Sequence, residues 1–303
     1  MSLSNAIQID PAATCESLAT YIREQHDELK RDGVVLGLSG GLDSAVAAAL
    51  CCRAVGRENV LAILMPERDS EPRHERDARD LAHALQIQVK KRSITPILRH
   101  FGIYRWMPTR LIPRTLLGKL IRGAYRYHER KSGTSPFADG LDGVDGKKHG
   151  AYLARGNAYY RIKHRIRMVE LYYVADKENR LVVGAPNKTE WMTGFFVKFG
   201  CDHAADISPI IGLYKTQVIS LARHLEIPEA LIEKPPSPDL LPGLTDEFAL
   251  GISYQLLDLV LLGLERGMGT AEIAADVSAK SETVESVREL VRASKHMRET
   301  LPG

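Results

Sequence analysis

The 303-residue chain has only four cysteines, and their positions exclude two common kinds of site. Cys15, Cys51, Cys52 and Cys201 show neither the paired spacing of a zinc site nor the pattern of a disulfide framework. Long apolar runs are also missing, since no segment approaches the roughly 20 residues of a membrane span. Polar residues interrupt the first residues of the chain, unlike a signal peptide. We therefore expect a cytoplasmic protein with reduced thiols and no membrane partner.

A large excess of one charge is likewise absent. The net charge is +3, which is too small by itself to indicate nucleic-acid binding. A chain of this length can bury the core of one large α/β domain, with or without an inserted segment.

The most informative stretch is residues 33–50, which read as a strand, a tight turn and a helix. Gly40 and Gly41 permit a close approach of backbone to an anion, and the first turn of the following helix presents free N–H groups. Asp43 adds a carboxylate that is suited to a phosphate-bound Mg²⁺. The turn lacks the Gly-Lys-Ser/Thr ending of a Walker loop and the three-glycine spacing of a dinucleotide fingerprint. It predicts a different kind of phosphate site.

Alternating strands and helices predict a parallel sheet covered on both faces. We expect strands at 33–36, 59–65, 87–89 and 181–184, with the active site outside the carboxyl ends of the strands that begin at Gly33, Asn59 and Leu181. Helical periodicity predicts helices at 11–29, 74–85, 159–173, 214–225, 250–264 and 282–298.

Residues 99–150 break this pattern. Their first half carries many Arg and Lys residues among aromatic ones, and residues 132–150 are rich in Gly, Asp and Ser, which favours a mobile loop. Three hypotheses are open: a solvated insertion, a surface that grips nucleic acid, and a lid over a substrate. We favour the lid, because the segment connects the third strand to a cationic helix around Arg165 and should pass close to a bound acceptor.

The string Ser-Gly-Gly-Leu-Asp-Ser at 39–44 resembles the pyrophosphate loop of N-type ATP pyrophosphatases. Further motifs at 165–168, 184–190, 194–200, 205–209, 213–218 and 234–254 follow in the order found in ammonia-dependent NAD synthetases. The resemblance covers nearly all of the chain outside the insertion. It implies a single domain over residues 1–303, with an adenine nucleotide alpha hydrolase-like (Rossmann-like) fold, a basic insertion and a helical carboxyl-terminal region.

The resemblance also implies a reaction. ATP would adenylate the carboxylate of nicotinate adenine dinucleotide (deamido-NAD) with release of pyrophosphate, and ammonia would displace AMP to give NAD. Mg²⁺ would assist, and free ammonia or a separate glutaminase would supply nitrogen. The family implies a homodimer, with the helix around Arg165 and the helix at 250–264 as candidate interface elements.

Residue by residue, the resemblance assigns catalytic roles to Asp43, Glu190 and Lys215, and Mg²⁺ binding to Asp43 and Glu190. The implied ATP contacts are Gly37, Leu38, Ser39, Gly40, Gly41, Leu42, Asp43, Ser44, Ala185, Lys215 and Ser237. The implied deamido-NAD contacts are Arg165, Lys198, Asp206, His296 and Met297.

The chain departs from the family pattern at several of these places. Ala185 replaces a threonine, and residues 200–206 contain one residue more than the usual motif. Within that motif, we interpret Cys201 as a packed small residue and not as a nucleophile. The departures leave open an enzyme that adenylates a different carboxylate, or a nucleotide-binding sensor without turnover.

Overall fold

A computed structural model of the chain describes residues 2–105, 114–141, 150–237 and 244–299. Its strands are β1 (Gly33–Gly37), β2 (Val60–Leu64), β3 (Gln88–Lys91) and β4 (Arg180–Val183). They form one parallel sheet in the order β3-β2-β1-β4. Val34 pairs with Val60 on one side and with Leu181 on the other. The predicted parallel sheet is therefore confirmed.

Helices account for most of the remaining described chain. Asp10 shows why one of them begins where it does, because its side chain accepts hydrogen bonds from the N–H groups of Ala12 and Ala13. Before β4 the helices are α1 (Leu3–Ala6), α2 (Pro11–Glu28), α3 (Leu42–Val55), α4 (Pro72–Leu85), α5 (Thr95–His100), α6 (Arg114–Ser132), α7 (Pro136–Leu141) and α8 (Gly150–Glu178). After β4 they are α9 (Lys188–Thr193), α10 (Lys215–His224), α11 (Glu229–Ile232), α12 (Asp246–Leu250), α13 (Tyr254–Glu265), α14 (Thr270–Asp276), α15 (Ser281–Ala293) and α16 (Lys295–Arg298).

Both faces of the sheet are covered, as the alternating pattern predicts. On one face, α2, α3 and α10 form a core whose centre is the small-residue run 45–49 of α3. On the other face, α5 and α8 pack their apolar side chains on β1, β2 and β4. The small side chains of α3 let its backbone approach the sheet closely, which holds its first turn at the carboxyl end of β1.

The carboxyl-terminal helices form a separate apolar cluster with α1. Its centre is α13, whose Leu257, Val260 and Leu261 are fully buried. The helix predicted at 282–298 is interrupted at Ser294, which is buried and donates its hydroxyl to the carbonyl of Met192. This hydrogen bond to a distant residue explains the break in the helix at Ser294, which the helical periodicity of the sequence does not indicate. None of the described helices has the length and apolarity needed to cross a bilayer.

The insertion contains more regular structure than its sequence predicts. Residues 136–141 form α7 where a loop is expected, because the buried Asp139 accepts hydrogen bonds from His128 and Thr134. Leu141 also packs against Phe196 and Met297. The loop prediction is therefore wrong for α7, and residues 106–113 and 142–149 lie outside the described residues.

Candidate active site

The loop between β1 and α3 is closed by its own serine side chains. Ser44 Oγ lies 3.0 Å from Ser39 Oγ and donates to the carbonyl of Gly41 at 3.0 Å. The N–H of Gly41 donates to Ser39 Oγ at 3.2 Å. These contacts shape the turn before the first N–H groups of α3, as an anion site at a helix N-terminus requires.

Gly40 explains why this loop needs glycine. Its φ is 75°, and a Cβ atom at this position would lie 2.2 Å from the carbonyl oxygen of His74 in α4. The carbonyl of Gly40 accepts a hydrogen bond from Lys234 Nζ at 2.9 Å, and the same ammonium lies 2.6 Å from Asp77 Oδ2. Lys234 therefore joins the loop to α4.

Asp43, in the first turn of α3, meets two residues that follow β4 in the chain. Lys215 Nζ, at the start of α10, forms an ion pair with Asp43 Oδ2. Asn187 Nδ2 donates to Asp43 Oδ1 at 3.1 Å. Asn187 also caps α9, since it accepts from the N–H of Glu190 while Glu190 accepts from the N–H of Asn187. Asn187 therefore contacts both predicted metal ligands, Asp43 and Glu190.

The electrostatics of this group are dominated by carboxylates. Burial and the nearby Asp43 raise the pKa of Glu190 well above its usual value. Burial by itself would lower the pKa of Lys215, but Asp43, Glu190 and Asp246 together raise it. Three carboxyl groups, those of Asp43, Glu190 and Asp246, therefore act on the Lys215 ammonium, and this supply of oxygen ligands suits a further cation.

Asp246 also belongs to this group, although it is not among the site residues predicted from the sequence. It is 5% exposed, and burial raises its pKa to about 6. Tyr254 donates its hydroxyl to Asp246 Oδ2 at 2.9 Å, whereas Oδ1 has no hydrogen-bond partner among the described residues. Asp246 lies inside the sequence motif at 234–254, but only the fold places it near Lys215.

Asp43, Glu190, Lys215 and Asp246 line one cavity of about 1460 Å³ at the carboxyl ends of β1, β2 and β4. Strand order reverses between β1 and β4, and ligands of such sheets bind at this switch point. The insertion contributes part of the wall through Tyr125 and His128. All residues assigned to ATP line the cavity: Gly37, Leu38, Ser39, Gly40, Gly41, Leu42, Asp43, Ser44, Ala185, Lys215 and Ser237, as does Glu190.

The residues assigned to deamido-NAD lie outside this lining, and three of them form a contiguous group. Arg165 Nε is 3.4 Å from the carbonyl of Lys198, and Lys198 Nζ donates to the carbonyl of His296 at 2.5 Å. Met297 is buried against Phe196, which does line the cavity. Asp206 is held separately by Tyr172 and the N–H of Val182. The structure thus places this group on a surface beside the cavity.

Comparison with known proteins identifies the family. A family model described as NAD synthase matches residues 14–124 and 143–301. The chain belongs to the NAD synthase family. The gap between the two matched segments falls within the insertion, and it includes α7. This part of the insertion therefore departs from the family pattern.

Similar members of the NAD synthase family carry a consistent name. The NH(3)-dependent NAD(+) synthetases of Thermotoga neapolitana and Thermotoga maritima are each 43% identical to this chain over 95% of its length, which covers 94% and 97% of those proteins. That of Methanocaldococcus jannaschii is 37% identical over 94% of this chain and 93% of its own. These relatives do not favour a different carboxylate substrate or a silent sensor.

Solved structures confirm the adenine nucleotide alpha hydrolase-like fold of this NAD synthase family member. The NMN synthetase from Francisella tularensis has a TM-score of 0.70 and 27% identity, and it covers 98% of this chain and 99% of its own. The NH3-dependent NAD synthetase from Campylobacter jejuni has a TM-score of 0.67 and 26% identity, with the same coverage.

Proposed function

We propose that this chain catalyses the ATP-dependent amidation of nicotinate adenine dinucleotide to NAD with ammonia. The observation that carries the proposal is the Asp43–Lys215–Asn187–Glu190 group beside a glycine-rich phosphate loop, in a chain of the NAD synthase family. The nicotinate carboxylate attacks the α-phosphorus of ATP, and pyrophosphate leaves. Ammonia then attacks the acyl carbonyl, a proton is lost, and AMP leaves.

The protein groups have distinct roles in this reaction. The N–H groups after Gly41 and the hydroxyls of Ser39 and Ser44 bind phosphate oxygens. Lys215, held at the start of α10, stabilises the charge that develops on the leaving pyrophosphate. Asn187 fixes the position of the Asp43 carboxylate through its 3.1 Å hydrogen bond. Ala185 and Ser237 contribute to the wall around ATP.

The carboxylates of Asp43 and Glu190 suit Mg²⁺, which prefers oxygen ligands and usually binds with phosphates. The raised pKa of Glu190, caused by burial and by Asp43, reflects a shortage of positive charge at this position. When bound there, Mg²⁺ would neutralise charge on the triphosphate.

We assign acceptor binding to Arg165, Lys198, Asp206, His296 and Met297. Arg165 and His296 are exposed, and two apolar residues further along α8 are exposed as well, Val169 by 62% and Tyr173 by 55%. An exposed apolar stripe next to a cationic group supports a homodimer in which a second copy covers this surface. The other predicted interface helix, α13, contributes none of the exposed large apolar side chains of the described residues. Light scattering alongside the activity assay tests the dimer, and a fully active monomer would contradict it.

The insertion remains a lid in this proposal. Tyr125 donates to the carbonyl of Ala249 at 2.7 Å, and its ring centroid lies 5.3 Å from that of Phe248. These contacts hold α6 over the cavity, where it excludes water that would hydrolyse an acyl-adenylate.

We place the reaction in the cytoplasm, because it consumes ATP and the chain contains four free cysteines.

One assay tests the reaction. The protein is incubated with ATP, Mg²⁺, ammonium and nicotinate adenine dinucleotide, and pyrophosphate and the amide are measured together. Parallel reactions contain nicotinate mononucleotide, because one structural relative is an NMN synthetase. We expect equimolar pyrophosphate and NAD with the dinucleotide. Pyrophosphate formed only with another acid, or with none, would overturn the proposal.

A further inference from the structure

A second cluster of metal-binding side chains shares no residue with the Asp43–Glu190 pair. It consists of His164 in the middle of α8, and of Cys201 and Asp202 in the turn after Gly200. His164 Nδ1 lies 3.3 Å from Cys201 Sγ and 2.9 Å from Asp202 Oδ2. Cys201 Sγ lies 3.6 Å from Asp202 Oδ1. All three residues line the cavity, so an ion can reach them from solvent.

The two distances to Cys201 Sγ, 3.3 and 3.6 Å, match edges of a coordination tetrahedron, and the 2.9 Å contact between His164 Nδ1 and Asp202 Oδ2 would lengthen by about 0.4 Å on metal binding. Zn²⁺ binds sulfur at about 2.3 Å and nitrogen or oxygen at about 2.0–2.2 Å, so its tetrahedral ligands lie about 3.3–3.6 Å apart. A thiolate, an imidazole and a carboxylate are typical zinc ligands, whereas a thiolate does not suit Mg²⁺. Three protein ligands leave a fourth position for water or another ligand.

The arrangement does not fit a proton relay. In a cysteine–histidine–aspartate triad, the thiol and the carboxylate contact different nitrogens of the imidazole. Here both contact Nδ1, and Nε2 is buried without a hydrogen-bond partner among the described residues. One nitrogen cannot serve the thiol and the carboxylate equally well. A cation at their common centre can bind all three groups.

The local backbone allows these three side chains to lie close together. A Cβ atom at Gly200 would lie 2.8 Å from the Cβ of His164, so glycine allows the turn to approach α8. The N–H groups of His203 and Ala204 both donate to the carbonyl of Gly200 at 3.0 Å, which closes the turn around Cys201 and Asp202. This is also the motif that contains one residue more than the family pattern.

The charges are compatible with a divalent cation. A divalent cation binds Cys201 as the thiolate and displaces the thiol proton on binding. The positive charge of Arg167 acts on both Cys201 and Asp202. The two negative charges of a thiolate and a carboxylate would offset that charge and leave the site suited to a cation.

We propose that His164, Cys201 and Asp202 form a binding site for a zinc-like divalent cation at the edge of the active-site cavity. The site shares no ligand with the proposed Mg²⁺ position and goes beyond the proposed reaction. Bound metal would fix the turn at 200–206 to α8, next to the surface assigned to the acceptor.

Metal binding by the purified full chain tests this. Metal-free protein is titrated with Zn²⁺, and in parallel with Co²⁺, whose thiolate complex absorbs in the near ultraviolet. Variants Cys201→Ser and Asp202→Asn each remove one ligand with little change in shape. Cys52→Ser is the matched control, because Cys52 is also a partly exposed free thiol but lies outside the cluster.

We expect one tightly bound Zn²⁺ per chain, a cobalt–thiolate band, and protection of one thiol from alkylation by Zn²⁺ but not by Mg²⁺. Cys201→Ser should abolish the band, and Asp202→Asn should weaken binding by about tenfold or more. Cys52→Ser should behave as wild type. Circular dichroism confirms that each variant is folded. Absence of equimolar binding in folded wild type, or a band that persists in Cys201→Ser, would overturn the proposal.

Discussion

Replacement of Asp246 by Asn should stabilise the protein near neutral pH and not at acid pH. Burial raises the pKa of Asp246 from 3.8 to about 6. Such an acid contributes its full stability below its unfolded-state pKa, and the contribution is lost as the pH rises through the folded-state pKa. At 1.36 kcal/mol for each pH unit, ionisation of Asp246 costs about 3 kcal/mol at pH 7. Asparagine has no such cost.

The measurement is the free energy of unfolding in urea, for wild type and Asp246→Asn, at several values between pH 4 and pH 7.5. An amide nitrogen at the unpartnered Oδ1 position adds a constant penalty, so the test is the change in the difference between the two proteins. That difference should move in favour of the variant by about 2.4 kcal/mol as the pH rises from 4 to 7, because about 0.6 kcal/mol of the cost is already present at pH 4. A difference that does not change with pH would refute the reasoning.

Asp258 provides a matched control. It is buried like Asp246, but its oxygens accept hydrogen bonds from the Thr189 hydroxyl and from the N–H and hydroxyl of Thr216. An amide would place its NH₂ group against these donors. Asp258→Asn should therefore be destabilised at pH 7, by about 1–3 kcal/mol.

Three further predictions concern the loop, the metal ligands and the core. Gly40→Ala should weaken ATP binding, measured by calorimetry, because the added Cβ would lie 2.2 Å from the carbonyl oxygen of His74. Gly212→Ala is the control: no atom lies within 4 Å of the added Cβ, so this variant should bind ATP as wild type does. Asp43→Asn should lower the rate of pyrophosphate release by about 100-fold, the scale of losing one preorganised charge; an unchanged rate would remove Asp43 from the site. Lys163→Met should cost about 3–5 kcal/mol in urea unfolding, because Lys163 is 0% exposed and lies 2.8 Å from the buried Glu67. Loss of the exposed Lys90–Glu178 pair in Lys90→Met should cost at most about 1 kcal/mol, and equal effects of the two substitutions would contradict the buried-pair argument.

The shape of the loop between β1 and α3 could be predicted from sequence because its parts are local. The loop at 37–44 combines a strand end, two glycines and a helix start within a few residues, and each of these has a backbone signature. Asn187 and Glu190 form a capping box, which is equally local. The parallel sheet followed from the alternation of apolar runs and helical segments.

Other features depend on contacts between distant parts of the chain. His164 and Cys201 are 37 residues apart in the chain, and nothing in the sequence around either residue indicates that the two side chains meet. The same holds for Asp246, whose burial near Lys215 depends on the packing of α10, α12 and α13. The break at Ser294 and the helix at 136–141 arise from single tertiary hydrogen bonds and contacts, which override the local pattern.

The order of the strands has a consequence for how the chain matures during synthesis. Val34 pairs with both Val60 and Leu181, but the loop to Leu181 is roughly sixfold longer. Closing that longer loop costs about 1.5 kcal/mol more chain entropy, so we expect the pairing with Val60 to form first. A nascent chain that has emerged as far as β3 can form the phosphate loop on a half-built sheet. Glu190 and Lys215 follow only after β4 has docked. The protein should therefore be able to hold a nucleotide phosphate before it can activate one, which delays ATP consumption until the second half of the chain is in place.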